Sequence, residues 1–249
     1  MDQPNITVSK IFLNAKLLSV FPFIGISAEI NVVYAVDGSE SVSTKTFDEM
    51  KRFVKGALKS YMISPNKTHV GLTVYGGLNP IQALSVGDGT SKSTVERAIP
   101  FMGKIGGKRN LEKGLDSAAN ELIRNIKRKE VSKLIVLITT GKDESKDQEK
   151  LKAVGKKLKD NGIKVVVIVI GQDTGKDGLP ILPFSTEGVM SVPSVDDLKK
   201  AVDFVEKAAA KATGNNLLIG NDTSFLLNME ADSHHLLPVK ISLSNHQIT

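Results

Sequence analysis

Apolar and polar positions alternate between two periods along the central part of the chain. Short runs rich in β-branched residues are apolar almost without interruption, which is typical of strands buried on both faces of a sheet. Between these runs, apolar residues recur at spacings of three and four, which indicates amphipathic helices. The strands that this pattern predicts span residues 30–36, 70–74, 81–86, 134–138, 163–170 and 190–192.

The repeated order of strand and helix predicts the fold class. Because βαβ units build a mostly parallel sheet with helices on both faces, we expect a doubly wound, Rossmann-like α/β domain with six strands. The Gly76-Gly77 turn predicts a hairpin, which makes the third strand an antiparallel edge. We expect Asp48 and Glu49 in the first turn of the first helix, and Ser194 as the cap of the last helix.

The strand and helix pattern divides the chain into three parts. Residues 29–212 carry the alternation, and we assign them to one domain. Residues 1–28 form an amino-terminal segment, whose apolar run is compatible with a secretory signal or with an extra strand. Since polar residues interrupt that run, it does not predict a membrane span. Residues 213–249 form a carboxyl-terminal extension.

Composition excludes several classes of function. Of 249 residues, 33 are basic and 27 are acidic, which gives a net charge of +6, and there is no cysteine. The absence of cysteine excludes a disulfide scaffold, a thiolate zinc site and a cysteine nucleophile. A mild positive charge with only three Tyr and nine Phe does not predict nucleic-acid binding. The charge suits acidic partners without requiring them.

The loop after the first strand carries candidate metal chemistry. Ligands of α/β sheets bind where strands end, and Asp37, Ser39 and Ser41 alternate along this loop. Side chains at alternate positions of an extended loop can converge, and hard oxygen ligands of this kind suit Mg²⁺ or Mn²⁺. The other interpretation is that the two serines only cap the following helix.

Several segments resemble the von Willebrand factor type A domain family. Residues 33–41 resemble the opening strand of that family and its D-x-S-x-S metal-ion-dependent adhesion site. The resemblance implies a non-catalytic adhesion domain that binds a protein or an extracellular-matrix ligand. The other segments that resemble the family are residues 70–76, 134–141, 162–171 and 192–198.

Two of the metal ligands of the family are replaced in this sequence. The resemblance places Arg109 where a threonine completes the metal site, and Thr140 where the family has an aspartate. We therefore expect Mg²⁺ or Mn²⁺ to bind weakly. Asp143 is a candidate substitute for the lost carboxylate; alternatively, Arg109 pairs with Asp37 as an internal cation. The predicted ligand-binding residues on this face are Glu40, Arg109, Thr140 and Asp143.

Basic clusters support a second function. Lys and Arg group in the loop at residues 104–109, around residues 124–133 and along the helix at residues 150–159, so binding of an acidic polyanion such as a sulfated glycan is the alternative. An enzyme is not predicted, because the four histidines lie away from the strand ends and His69 is expected to precede the second strand.

Three N-glycosylation sequons provide information on the cellular location of the protein. Asn5, Asn66 and Asn221 each begin an N-x-T acceptor sequence, which favours a secreted glycoprotein. The resembled family also has intracellular members that act as scaffolds of large complexes. A cytoplasmic scaffold is therefore the alternative location and role.

Overall fold

A central sheet with helices on both faces organises the structure. The computed structural model describes residues 29–77, 79–125, 128–141, 148–171 and 185–214. The strands are β1 (Ile30–Asp37), β2 (Thr68–Tyr75), β3 (Ile81–Leu84), β4 (Ser132–Thr139), β5 (Ile163–Ile170) and β6 (Gly188–Val192). The helices are α1 (Thr44–Ala57), α2 (Lys92–Ala98), α3 (Leu111–Arg124), α4 (Gln148–Asp160) and α5 (Ala201–Ala212), with 3₁₀ turns at Leu58–Ser60, Ile99–Phe101 and Val195–Lys200.

The sheet has six strands in the order β3-β2-β1-β4-β5-β6. All neighbouring strands pair in parallel except β3, which pairs with β2 in the antiparallel direction. The prediction of a doubly wound α/β sheet with one antiparallel edge strand is therefore confirmed. Among the described residues, no helix combines the length and apolarity needed to cross a bilayer.

Two apolar layers cover the two faces of the sheet. Successive strand residues point to opposite faces, so Val32 and Tyr34 pack with α1 and α5, while Val33 and Ala35 pack with α3 and α4. All eight residues of β1 are buried. This burial on both faces explains why the strand sequences are apolar almost throughout.

The start of α1 differs from the prediction. The Ser43 hydroxyl accepts a hydrogen bond from the Thr46 backbone N–H at 3.0 Å, so the helix begins at Thr44. Its first turn contains no acidic residue. The placement of Asp48 and Glu49 in the first turn was therefore wrong, because the Ser43 cap starts the helix one turn earlier.

Two further predictions of local structure need correction. After Ser194, the chain first forms the 3₁₀ turn Val195–Lys200, and the Ser194 hydroxyl donates to the Asp197 carboxylate at 2.8 Å instead of accepting from a helix N–H. His69 lies inside β2 and is buried, so its placement before the strand was wrong. Residues 1–28 and 215–249, which include the predicted signal or extra strand, lie outside the described residues.

Candidate functional site

The loop between β1 and α1 brings the candidate metal ligands to the carboxyl edge of the sheet. Asp37 ends β1 and is fully buried, and its Oδ1 accepts a hydrogen bond from the Ser39 N–H at 3.0 Å. The hydroxyl oxygens of Ser39 and Ser41 lie 3.0 Å apart. Because Ser43 caps α1, the interpretation of Ser39 and Ser41 as helix caps does not hold. Both serines remain part of a polar cluster around Asp37.

A glycine-rich loop lies directly against this cluster. Gly106 and Gly107 have φ of 71° and 70°, a conformation that favours glycine. Their carbonyl oxygens accept hydrogen bonds from the Gly77 N–H at 2.7 Å and the Glu40 N–H at 2.8 Å. A Cβ at Gly76 would lie 2.7 Å from the Gly106 oxygen. These close backbone contacts fix the loop that carries Arg109.

The guanidinium of Arg109 occupies the centre of the cluster. Its Nε donates to Asp37 Oδ2 at 2.6 Å. Its Nη2 donates to the hydroxyl oxygens of Ser41 and Thr140, each at 2.6 Å. Arg109 is only 6% exposed, so the ion pair with Asp37 is buried. The sequence offered this pairing as the alternative to Asp143 as a substitute ligand, and the described geometry contains it.

The end of β4 completes the hydrogen bonds of Asp37. Asp37 Oδ2 also accepts from the Thr140 N–H and the Thr140 hydroxyl, both at 3.3 Å, and from the Thr139 hydroxyl at 3.4 Å. A Cβ at Gly141 would lie 3.1 Å from Arg109 Nη1, so glycine leaves room for the guanidinium. Sequence reasoning missed the contributions of Thr139 and Gly141. The Thr-Thr-Gly triplet at the end of an apolar strand was the available signal.

These residues do not fit a resident divalent ion. The Arg109 nitrogens already fill the positions that face Asp37 Oδ2 and Ser41 Oγ. A second cation beside this fixed positive charge would be repelled, and Mg²⁺ relies on one or two carboxylates. The described residues contain no group of three or more His, Cys, Asp or Glu that could hold a metal ion.

Two of the remaining predicted residues lie in the described part of the chain. Glu40 is exposed beside the cluster, and Asn66 is exposed between α1 and β2. Asp143, Asn5 and Asn221 lie outside the described residues.

Some residues of the basic clusters form ion pairs in the described structure. Arg109 is buried in its ion pair, whereas Lys104 and Lys108 of the same loop are exposed. On α4, Lys156 pairs with Asp160, and Lys157 pairs with Asp116 at 2.7 Å. These ion pairs reduce the free positive charge that a polyanion would meet.

Comparisons with known proteins agree with the fold. Residues 31–207 match the model of the von Willebrand factor type A domain family. The collagen alpha-1(XX) chain of Mus musculus is 28% identical over 178 residues, which cover 68% of this chain and 13% of the relative. The von Willebrand factor A domain-containing protein 2 of Homo sapiens is 27% identical over 174 residues, which cover 68% of this chain and 22% of the relative.

A solved structure shows the same fold. The structure of proximal thread matrix protein 1 from the mussel byssus matches this chain with a TM-score of 0.61 at 22% identity. That structure was solved with zinc in its metal-ion-dependent adhesion site (MIDAS) motif. The match covers 74% of this chain and 48% of that structure. The chain spans less than a quarter of the two curated relatives given above. Because the family model matches well over half of its residues, this chain belongs to the von Willebrand factor type A domain family.

Proposed function

We propose that this domain is non-catalytic and binds a protein or extracellular-matrix ligand through the carboxyl edge of its sheet, with weak or lost dependence on Mg²⁺ or Mn²⁺. The relatives support a protein-binding domain, since they include a collagen chain and a thread matrix protein. The predicted contact residues are Glu40, Arg109, Thr140 and Asp143, and the exposed Lys104 and Lys108 extend this surface.

The buried guanidinium of Arg109 is the observation that carries the proposal. It lies within hydrogen-bond distance of Asp37, Ser41 and Thr140, so the chain itself provides the cation that balances the buried Asp37. The exposed Lys104 and Lys108 add positive charge beside it, which suits an acidic group on the partner. A soluble divalent ion is therefore not needed to balance Asp37, and the two lysines provide the attraction for a carboxylate.

Calorimetric titration of Mn²⁺ into the protein tests the metal part of the proposal. We expect the unmodified protein to bind Mn²⁺ more weakly than a Kd of about 1 mM. The double variant Arg109→Thr and Thr140→Asp removes the internal cation and adds a carboxylate, so we expect it to bind Mn²⁺ at least about tenfold more tightly. Micromolar affinity of the unmodified protein that Asp37→Ala abolishes would contradict the proposal.

Adhesion to a surface coated with reconstituted basement-membrane matrix tests the binding part. We expect adhesion to persist in excess EDTA and to fall when Lys104 and Lys108 are both changed to Glu. The matched control changes two other exposed lysines to Glu and should leave adhesion unchanged. These are Lys55, in the last turn of α1, and Lys59, in the 3₁₀ turn that follows. Two results together would favour the polyanion alternative. Adhesion would disappear after the coat is treated with heparitinase, and the protein would be retained on heparin at physiological salt.

We also propose a secreted location. The relatives named as collagen and thread matrix protein support it, and Asn66 lies exposed in a connecting segment, where an oligosaccharide can be accommodated. Expression in eukaryotic cells should give secreted protein whose apparent mass falls on enzymatic deglycosylation. Retention in the cytoplasm without glycan would favour the intracellular scaffold instead.

A further inference from the structure

A second polar cleft opens at the amino edge of the sheet, away from Asp37. Its volume is 590 Å³, and it lies between the start of β2, the segment after β3 and the carboxyl end of α3. Asn31 and Asp37 are six residues apart on β1, so at about 3.3 Å per residue the two edges are roughly 20 Å apart. The cleft is therefore separate from the proposed protein-binding face.

Two side chains from the residues that follow α3 bring buried donor atoms to this cleft. Arg128 donates from Nη2 to the Lys67 carbonyl, but its buried Nη1 has no hydrogen-bond partner in the described structure. Asn125 also lines the cleft, and its buried Nδ2 has no partner there. Because buried donors in native proteins are normally satisfied, these two call for an acceptor that the described residues do not supply.

His69 adds an acceptor to the same cleft. Its Nε2 donates to the Pro65 carbonyl at 2.9 Å, which leaves a lone pair on Nδ1 of the neutral ring. Nδ1 is buried and makes no hydrogen bond of ordinary geometry, although the Val86 backbone interacts with the ring. Burial lowers the pKa of His69 more than the Val86 interaction raises it, so the ring stays neutral at neutral pH. Asn31, its neighbour across the β1 and β2 pairing, is fully buried with both amide atoms unpaired.

The acidic residues of the cleft do not hydrogen-bond to these two donors. The Glu121 carboxylate already accepts hydrogen bonds from the Ser85 hydroxyl and the Val86 N–H, both at 2.9 Å. Asp88 and Arg124 lie exposed at the rim. The cleft therefore presents a partly buried cation, an amide donor and a neutral imidazole, in a volume typical of small-molecule sites.

We propose that this cleft binds an acidic sugar residue. The sulfate or carboxylate oxygens of the sugar accept hydrogen bonds from Arg128 Nη1 and Asn125 Nδ2. A hydroxyl group of the sugar donates to His69 Nδ1. This is a pocket for one sugar unit, which differs from a surface track of lysines, and it does not depend on the protein-binding face at the other edge.

Calorimetry with small probes tests the ligand chemistry. We expect glucuronate and N-acetylglucosamine 6-sulfate to bind with a Kd of about 1 mM or lower. Glucose has the hydroxyls without the charge, and inorganic sulfate has the charge without the hydroxyls, so each should bind at least about tenfold more weakly. Absence of binding by both acidic sugars would overturn the proposal. Equal binding of inorganic sulfate would overturn the sugar assignment.

Variants of the two donors test the location. Asn125→Ala removes a side-chain donor without breaking a hydrogen bond of the described structure, so its thermal midpoint should not change. We expect Asn125→Ala and Arg128→Gln each to weaken sugar binding about tenfold. The control Arg97→Gln makes the same charge change at an exposed position of α2 and should bind normally. Unchanged affinity in both donor variants would overturn the site.

Discussion

The environment of Asp37 decides the chemistry of the carboxyl edge. This carboxylate is fully buried and receives hydrogen bonds from Arg109, Ser39, Thr139 and Thr140. A buried charge is costly unless it is paired and hydrogen-bonded. Arg109 provides the pairing through the chain itself, which is the basis of the proposed weak or lost dependence on a divalent ion.

A double-mutant cycle measures the strength of this pair. Arg109→Met leaves Asp37 as an uncompensated buried charge, so we expect the free energy of unfolding to fall by about 3–5 kcal/mol. Asp37→Ala leaves the guanidinium unpaired and should also destabilise. The double variant should be more stable than the sum of the single effects predicts, by at least about 1 kcal/mol. Urea unfolding provides the measurement.

The double-mutant cycle at Asp37 and Arg109 can be compared with the same cycle at an exposed ion pair. Additive effects of the two substitutions would show that Asp37 and Arg109 are not coupled. Asp48 and Lys51 form a pair of 2.9 Å on the surface of α1, and the same cycle there should give little coupling.

His69 gives the domain a pH dependence of stability. Burial lowers the pKa of His69 in the folded state below its ordinary value of 6.5, so the unfolded chain binds the proton more tightly. The resulting stability is present above the ordinary pKa and is lost as the pH falls toward the lowered one. We expect the free energy of unfolding to fall between pH 7 and 5, measured by urea titration. His69→Gln should reduce this slope, and an unchanged slope would contradict the assignment.

At the scale of elements, two helix glycines have opposite roles. Gly114 of α3 packs on the ring of Tyr75, and a Cβ there would lie 2.6 Å from Tyr75 Cγ. The Tyr75 hydroxyl donates to the Ile138 carbonyl at 3.0 Å, so the ring is held in place. A Cβ at Gly56 of α1 would meet nothing within 4 Å. The same substitution should therefore have opposite effects in the two helices.

Alanine at each glycine tests this difference. Gly114→Ala should lower the free energy of unfolding by about 1–3 kcal/mol, because α3 or the Tyr75 ring must shift. Gly56→Ala should raise it by about 0.5–1 kcal/mol, since alanine favours the helix and has room. Thermal and urea unfolding of both variants give the comparison. Stabilisation by both substitutions would show that α3 does not pack this closely on Tyr75.

At the scale of the whole molecule, the net charge of +6 affects association more than folding. If the carboxyl edge meets an acidic partner, the rate of association with the basement-membrane coat should fall as salt rises, while dissociation changes less. Surface plasmon resonance at increasing NaCl measures both rates. The Lys104→Glu and Lys108→Glu variant should show a smaller salt dependence, and an equal dependence would place the charged contact elsewhere.

Periodicity in the sequence was enough to predict the sheet. Buried strands must be apolar on both faces and amphipathic helices on one, so β1, β4 and β5 were recognisable from local patterns. The start of α1 was harder to predict, because Ser39, Ser41 and Ser43 are all acceptable caps by residue type. Only the backbone geometry shows that Ser43 is the cap, which leaves the other two hydroxyls near Asp37.

The sequence by itself determined the fold class, the family resemblance and the identity of Asp37, Ser39 and Ser41 as site candidates, because these depend on local patterns of polarity. Only the tertiary structure decided which partner Asp37 has. Arg109 is 72 positions away in the chain, and the approach of its loop depends on backbone contacts between Gly76, Gly77 and Gly106. Contacts over that separation arise from packing, which a local pattern does not encode.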